Sequence, residues 1–205
     1  MTTNVQTRES QAALSPDDAI RMLVDGNGRF VAKTPLDRNS HEQIAATAEG
    51  QHPFAVVLSC IDSRVPVELV FDQGVGDIFT ARVAGSVINE DLLGSMEFAC
   101  KLAGSKAILV LGHTSCGAVK GAIAKARLGN LTSLVQKIEP VVEEVAKSLN
   151  SEDPAFANTV AEASVVRSIQ AIRDGSTVLA EMESSGEVKI VGAMYDVSSG
   201  KVRFL

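Results

Sequence analysis

The chain has 205 residues, of which 45% are hydrophobic and 21% are charged. This length allows one domain with a substantial core, and the composition is typical of a globular protein. The formal net charge is −6, and no cluster of Lys and Arg stands out along the chain, so we expect no nucleic-acid partner. No segment approaches the roughly 18 apolar residues of a membrane span, which predicts no membrane association.

The first part of the chain is polar. Residues 1–15 predict a flexible arm without a secretory signal, and residues 16–205 predict a single domain. Ser15 and Pro16, followed by two acids, are typical of a helix start, and this helix would extend to about residue 33. The three cysteines are an odd number, which favours free thiols in a reducing compartment, so we expect a cytoplasmic protein.

Strand and helix patterns alternate through the rest of the chain. Short apolar runs predict strands at 54–60, 78–83, 107–112 and 188–195, and a turn at 198–200 leads to a final edge strand at 201–205. Helical patterns lie between them at 66–73, 90–103, 116–128, 131–148 and 156–184. This order predicts an α/β fold with a mainly parallel central sheet flanked by helices. The final edge strand would be antiparallel, and an N-terminal helical arm would precede the sheet.

Reactive side chains follow two of these strands. The first strand ends at Cys60, shortly before Asp62 and Arg64, and the third leads into His113 and Cys116. Ligands of such sheets bind beyond the carboxyl ends of the strands. If the two strands are neighbours, two thiolates and one imidazole converge, which is a suitable zinc set with one open coordination position.

Each of these residues also has an ordinary structural interpretation. A lone Cys at a strand end is usually a core residue, and Asp62 with Arg64 could be a turn ion pair. Spacing alone therefore leaves both a metal site and a purely structural role open. Cys100 falls inside a helical pattern and is predicted to be a core residue, while His41 and His52 lie in polar loop sequence without a metal partner.

Several motifs together resemble the β-class carbonic anhydrases over residues 16–205. The two central ones are Cys60-x-Asp62-Ser63-Arg64 and His113-x-x-Cys116-Gly117. Further similar segments are Gly26-Asn27-x-Arg29-Phe30, Arg82-x-Ala84-Gly85, Gly94-Ser95-x-Glu97-Phe98 and Gly192-Ala193-x-Tyr195-Asp196. The resemblance is more specific than the spacing of the reactive side chains.

The resemblance implies a zinc enzyme that interconverts carbon dioxide and bicarbonate. One Zn²⁺ per chain would be held by Cys60, His113 and Cys116, and Asp62 and Arg64 would form the catalytic dyad. The implied reaction is attack of zinc-bound hydroxide on carbon dioxide, giving bicarbonate and a proton.

The resemblance also implies a substrate pocket at a subunit interface. Its residues would be Gln51, Phe79, Ala84, Phe98 and Gly117. We expect a homodimer or a dimer of dimers in which the helix at 16–33 packs on the partner subunit, because crossover helices already cover the sheet. Val57 stands where bicarbonate-inhibited members carry Trp, which favours the open form with Asp62 paired to Arg64.

Two other functions fit the same residues. A carbon disulfide or carbonyl sulfide hydrolase would use the same zinc site. A non-catalytic zinc-stabilised scaffold would need the metal ligands alone, so the intact pair of Asp62 and Arg64 argues against it. A redox protein is disfavoured because the chain has no C-x-x-C motif.

Overall fold

A five-stranded sheet forms the centre of the fold in the computed structural model, which describes residues 5–205. The strands are β1 (Ala55–Ser59), β2 (Ile78–Arg82), β3 (Ala107–His113), β4 (Lys189–Tyr195) and β5 (Val202–Phe204). Their order is β2-β1-β3-β4-β5, with parallel pairing throughout except for the antiparallel β5. The predicted fold class is confirmed.

Helices connect the strands and precede the first of them. In the described residues they are α1 (Arg8–Ala13), α2 (Pro16–Ala32), α3 (Ser40–Thr47), α4 (Val67–Val70), α5 (Glu90–Glu97), α6 (Gly117–Ile123), α7 (Gly129–Gln136), α8 (Glu139–Val145), α9 (Phe156–Gly175) and α10 (Thr177–Ser184). A π-helical turn, Phe98–Leu102, continues α5. Helices α1 and α3 are not predicted by the sequence patterns, and His41 lies in α3 rather than in the expected loop.

The sheet is buried on both faces. Val56, Leu58 and Ile108 belong to one apolar cluster, which also includes residues of α9. The alternate strand residues, such as Val57 and Leu109, belong to a second cluster with residues of α2 and α4. This double coverage explains why the central strands read as continuous apolar runs in the sequence.

No helix in residues 5–205 is long and apolar enough to cross a membrane.

The segment before α2 contains a short helix. Gln11 of α1 is only 5% exposed, and its Nε2 donates to the carbonyls of Pro53 at 2.7 Å and Ala103 at 2.8 Å. The sequence predicts a flexible arm at residues 1–15, whereas Arg8–Ala13 within it form a helix. Residues 1–4 of that arm lie outside the described residues.

Helix α2 begins where the sequence predicts. The Ser15 side chain accepts from the Asp18 amide, and the Asp18 carboxylate accepts from the Ser15 amide. Ala19 and Leu23 are fully buried against the chain's own sheet. Leu23 of the apolar stripe is therefore covered within the chain, whereas Val24 of the same stripe is 45% exposed. A contact with a partner through the remaining surface of α2 stays a prediction.

Two residues of α2 fix its position on the domain. Gly26 lies so close to α4 that a Cβ there would come within 1.8 Å of the Phe71 carbonyl oxygen. The Asn27 side chain is buried and donates to the carbonyls of Val70 and Gly200. Its Oδ1 accepts from the Val202 amide at 2.9 Å. One amide therefore connects α2 to α4 and to the β4–β5 hairpin.

Candidate metal centre and active site

The two strand ends that carry reactive side chains are neighbours. β1 pairs in parallel with β3, so Cys60 and His113 lie at the same edge of the sheet, and Cys116 joins them at the start of α6. Their solvent-exposed fractions are 4%, 1% and 5%. The two sulfurs and one imidazole nitrogen all lie within 4.8 Å of one another. The structure thus brings together the three predicted metal ligands.

The imidazole of His113 is oriented for metal binding. Its Nδ1 lies 3.0 Å from the carbonyl oxygen of Thr114, which assigns the proton to Nδ1 because a carbonyl can only accept. Nε2 is buried and has no hydrogen-bond partner. An unpaired buried nitrogen is costly, and a metal ion between the imidazole and the two thiols would satisfy it.

The two thiols also favour a cation. The Cys116 thiol beside Cys60 lowers the pKa of Cys60, and the Cys60 sulfur in turn raises the pKa of Cys116. The pair therefore holds one negative charge easily and resists a second. A bound divalent cation removes this resistance, since thiolates are the metal-binding form. Two sulfurs and one imidazole nitrogen fit Zn²⁺.

The turn after β2 contributes to the same site. Gly85 has a positive φ of 69°, and its amide donates to Sγ of Cys60 at 3.3 Å. A Cβ at this position would also approach Cδ1 of Ile138 to 2.8 Å. The positive φ favours glycine here, and a larger residue would also have to displace the end of the Ile138 side chain.

Asp62 and Arg64 form a two-pronged ion pair beside the metal ligands. Nε and Nη2 of Arg64 donate to the two carboxylate oxygens at 3.0 and 2.8 Å, and the Arg64 amide donates at 2.9 Å. The Arg64 guanidinium holds the pKa of the Asp62 carboxyl well below its usual range. Oδ2 of Asp62 lies 3.9 Å from Nε2 of His113. An ionised carboxylate therefore borders the cluster of predicted metal ligands, and it is paired with Arg64 as expected for the open form.

A second arginine contacts the backbone of this segment. Arg82, the last residue of β2, donates from Nε to the carbonyl of Cys60 at 2.9 Å and from Nη2 to that of Asp62 at 2.7 Å. Arg82 belongs to one of the motifs that resemble the β-class enzymes, but no role follows from the sequence. The motif was the available signal, but side-chain patterns do not reveal bonds to backbone carbonyls.

The residues expected to line a substrate pocket lie in several places. Phe79 and Phe98 meet edge to face, with ring centroids 6.1 Å apart, in an open groove of about 690 Å³ beside β2. Ala84 directly precedes Gly85 and is partly buried, and Gly117 is the exposed first residue of α6. Gln51 is exposed in the loop before β1, and its side chain makes no hydrogen bond with the described residues.

The third cysteine lies apart from the cluster. Cys100 is 2% exposed, and burial raises the pKa of its thiol to about 12. It packs in the apolar cluster between the sheet and α9. In residues 5–205, the only group of His, Cys, Asp and Glu side chains suited to a metal is that of Cys60, His113 and Cys116.

Comparison with known proteins places this architecture and site in a family. A family model described as carbonic anhydrase matches residues 55–202. A carbonic anhydrase of Mycolicibacterium smegmatis is 38% identical, covering 92% of both chains. Carbonic anhydrase 2 of Mycobacterium tuberculosis is 37% identical, covering 91% of both chains.

Solved structures give the same result. The β-carbonic anhydrase CafA of Aspergillus fumigatus is 29% identical, with a TM-score of 0.74, and the match covers 92% of this chain and 91% of that one. A structure described as one of two tetrameric β-carbonic anhydrases of Sordaria macrospora shares the fold, with a TM-score of 0.75 at 20% identity over 92% of this chain and 97% of that one. The chain belongs to the β-class carbonic anhydrase family.

Proposed function

We propose that this protein catalyses the reversible hydration of carbon dioxide to bicarbonate and a proton, with one zinc ion per chain. The observation that carries the proposal is the buried cluster of Cys60, His113 and Cys116 with the ionised Asp62 beside it. Family membership and curated relatives that are carbonic anhydrases support carbonate dehydratase activity.

Three protein ligands leave the fourth position of a tetrahedral zinc site open, which is the mark of a catalytic site. When bound there, zinc would lower the pKa of a coordinated water and so supply a nucleophile at neutral pH, a property for which carbonic anhydrases are the standard example. Cys60 and Cys116 would contribute negative charge, and His113 would bind through Nε2 because its Nδ1 is paired with the Thr114 carbonyl.

The carboxylate of Asp62 would orient the reacting oxygen. An ionised carboxylate can only accept hydrogen bonds, so Oδ2 would accept from the hydroxyl group that attacks carbon dioxide. The two hydrogen bonds from Arg64 keep the carboxylate ionised and fix its direction. We assign the catalytic dyad to Asp62 and Arg64 on this basis.

We further propose that carbon dioxide binds among Gln51, Phe79, Ala84, Phe98 and Gly117. Phe98 is 49% exposed, and the groove that it shares with Phe79 follows the free edge of β2, so a second subunit would complete this pocket. The tetrameric Sordaria macrospora relatives favour a homodimer or a dimer of dimers. The free state of all three cysteines agrees with a cytoplasmic location.

Stopped-flow measurement of carbon dioxide hydration, with zinc quantified in the same sample, tests the proposal. The expected result is one zinc per chain and an activity that disappears when the metal is removed and returns with zinc. A zinc-loaded protein that hydrolyses carbon disulfide or carbonyl sulfide but does not hydrate carbon dioxide would contradict it. Zinc binding with neither activity would instead indicate a structural metal.

A further inference from the structure

Arg82 lies at an exposed position of β2, yet its side chain is directed at the active-site backbone. A long charged side chain at such a position is normally solvated, and ordering it costs conformational entropy. Here Nε and Nη2 bond to the carbonyls on either side of Ile61, at Cys60 and at Asp62. Arg82 forms no ion pair with a carboxylate of the described residues.

The carbonyls of Cys60 and Asp62 belong to the segment that follows β1, beyond the last residue pair of the sheet. The pairing of β1 with β2 ends at Ser59, whose carbonyl accepts from the Val83 amide at 3.0 Å. Beyond that point, the Asp62 carbonyl accepts from the Val65 amide at 3.0 Å as well as from Arg82. Arg82 thus provides a connection between this segment and the neighbouring strand.

We infer that Arg82 is a positioning residue that fixes the orientation of Asp62 relative to Cys60. Arg64 holds the carboxylate end of Asp62, and Arg82 holds its backbone end together with that of the metal ligand. With both contacts, Oδ2 stays directed towards the ligand cluster, 3.9 Å from Nε2 of His113. This inference rests on the proposed function, since it concerns the geometry of that same site.

The guanidinium group is the part of Arg82 that matters. Its Nε and Nη2 lie in one rigid plane and can reach two carbonyls at once, whereas a Lys ammonium is a single point of charge on a flexible stem. Arg82→Lys should therefore keep one contact and lose the other. Arg82→Gln is shorter and neutral, and it should lose both.

The test is a double-mutant cycle between Arg82 and Asp62 in the zinc-loaded protein. Arg82→Gln should lower kcat about tenfold to a hundredfold with little change in KM, as expected when a reacting group is misplaced, and Arg82→Lys should lie between it and the wild type. In an Asp62→Asn background, the same Arg82→Gln change should lower kcat less than about twofold, because it acts through a group that is already lost. Arg173→Gln removes a comparable two-pronged contact, to Glu183, and should leave kcat unchanged.

Metal affinity provides a readout that does not depend on activity. Competition with a chelator should give a zinc dissociation constant for Arg82→Gln within about threefold of the wild-type value, since all three ligands remain. Loss of zinc would show that Arg82 serves metal binding instead, and equal losses of kcat in both backgrounds would show that it does not act through Asp62. Either outcome overturns the inference, as does full activity in Arg82→Gln.

If Arg82→Gln does not fold, full activity in Arg82→Lys overturns the inference equally. A zinc-loaded wild type without carbon dioxide hydration would instead refute the proposed function.

Discussion

Oδ2 of Asp62 lies 3.9 Å from Nε2 of His113, so the carboxylate borders the cluster of Cys60, His113 and Cys116. The same Oδ2 accepts a 2.8 Å hydrogen bond from Arg64. The carboxylate is therefore shared between a fixed cation on one side and the metal ligands on the other. The predicted metal ligands, Cys60, His113 and Cys116, are therefore different residues from Asp62, the proposed catalytic carboxylate.

Replacement of Asp62 by Asn tests that separation. The amide has nearly the same shape, but its NH₂ group cannot accept a hydrogen bond from a reacting hydroxyl. We expect full zinc content and a loss of about a hundredfold in kcat, measured by stopped-flow hydration and metal analysis on one sample. Arg64→Ala should also lose activity, because Asp62 would no longer be fixed. Wild-type kcat in both variants would remove the dyad from the mechanism.

The three cysteines should differ sharply in their effect on metal content. Cys60→Ser and Cys116→Ser each remove a buried sulfur ligand and should lower the zinc bound per chain, as measured after dialysis against a chelator. Cys100→Ser is the matched control, because Cys100 is buried in the core outside the cluster. X-ray absorption should show two sulfurs and one imidazole nitrogen at the metal. Zinc loss in the Cys100 variant would show that the ligands are wrongly assigned.

The buried carboxylate of Asp72 should make stability depend on pH. Burial alone would raise the pKa of Asp72, but hydrogen bonds from Arg29 and Arg38 outweigh it and lower the pKa. The ionised Asp72 therefore stabilises the folded protein fully at pH values above 3.8, the ordinary pKa of the group. This contribution is lost as the pH falls through the lower pKa that Asp72 has in the folded protein. Asp72→Asn should cost about 3 kcal/mol of unfolding free energy at pH 7.

Denaturant unfolding at several pH values checks this expectation. The difference between wild type and Asp72→Asn should shrink as the pH falls below about 4. Asn also tolerates the positive φ of 45° at this position, so the expected loss of stability in Asp72→Asn does not come from backbone strain. Asp17→Asn, which removes an exposed ion pair to Lys189, should cost less than about 1 kcal/mol. A difference that does not vary with pH would contradict the electrostatic explanation.

The groove beside β2 should be part of a subunit interface. Because Phe98 is half exposed, Phe98→Glu should fold normally while replacing the aromatic contact with Phe79 by a further negative charge in the groove. We expect sedimentation to show weaker association and the hydration activity to fall with it. Leu128→Glu, at another exposed apolar residue near α7, is the control. Deletion of residues 1–33 would be a poor test, since it also removes Leu23 from the core.

The convergence of Cys60, His113 and Cys116 could be predicted from the sequence, because it depends only on two strand patterns and their pairing. Continuous apolar runs predicted β1 and β3, and parallel neighbours bring Cys60 and His113 to one edge once the two strands pair. The prediction of one helix over 156–184 is wrong, because the structure divides it into α9 and α10. The sequence contains the signals for this division: Gly175 ends α9, and the Ser176 side chain caps α10 by accepting from the Leu179 amide.

Other features could not be predicted from local patterns. Helix α1 has no apolar stripe, and its Gln11 bonds to carbonyls 42 and 92 residues away. Arg82 likewise acts on carbonyls 22 and 20 residues away. In both cases the partner is a backbone group, which every residue carries, so the sequence contains no complementary side chain to identify it.

The buried amide of Asn27 has a consequence for the order of folding during synthesis. Its bonds to Gly200 and Val202 span 173 and 175 residues, so they cannot form until nearly the whole chain has left the ribosome. Until then α2 lacks two of the three hydrogen bonds of Asn27. Before that point only the bond to the Val70 carbonyl can hold the Asn27 side chain, so the final fixing of α2 is a late, long-range step of folding.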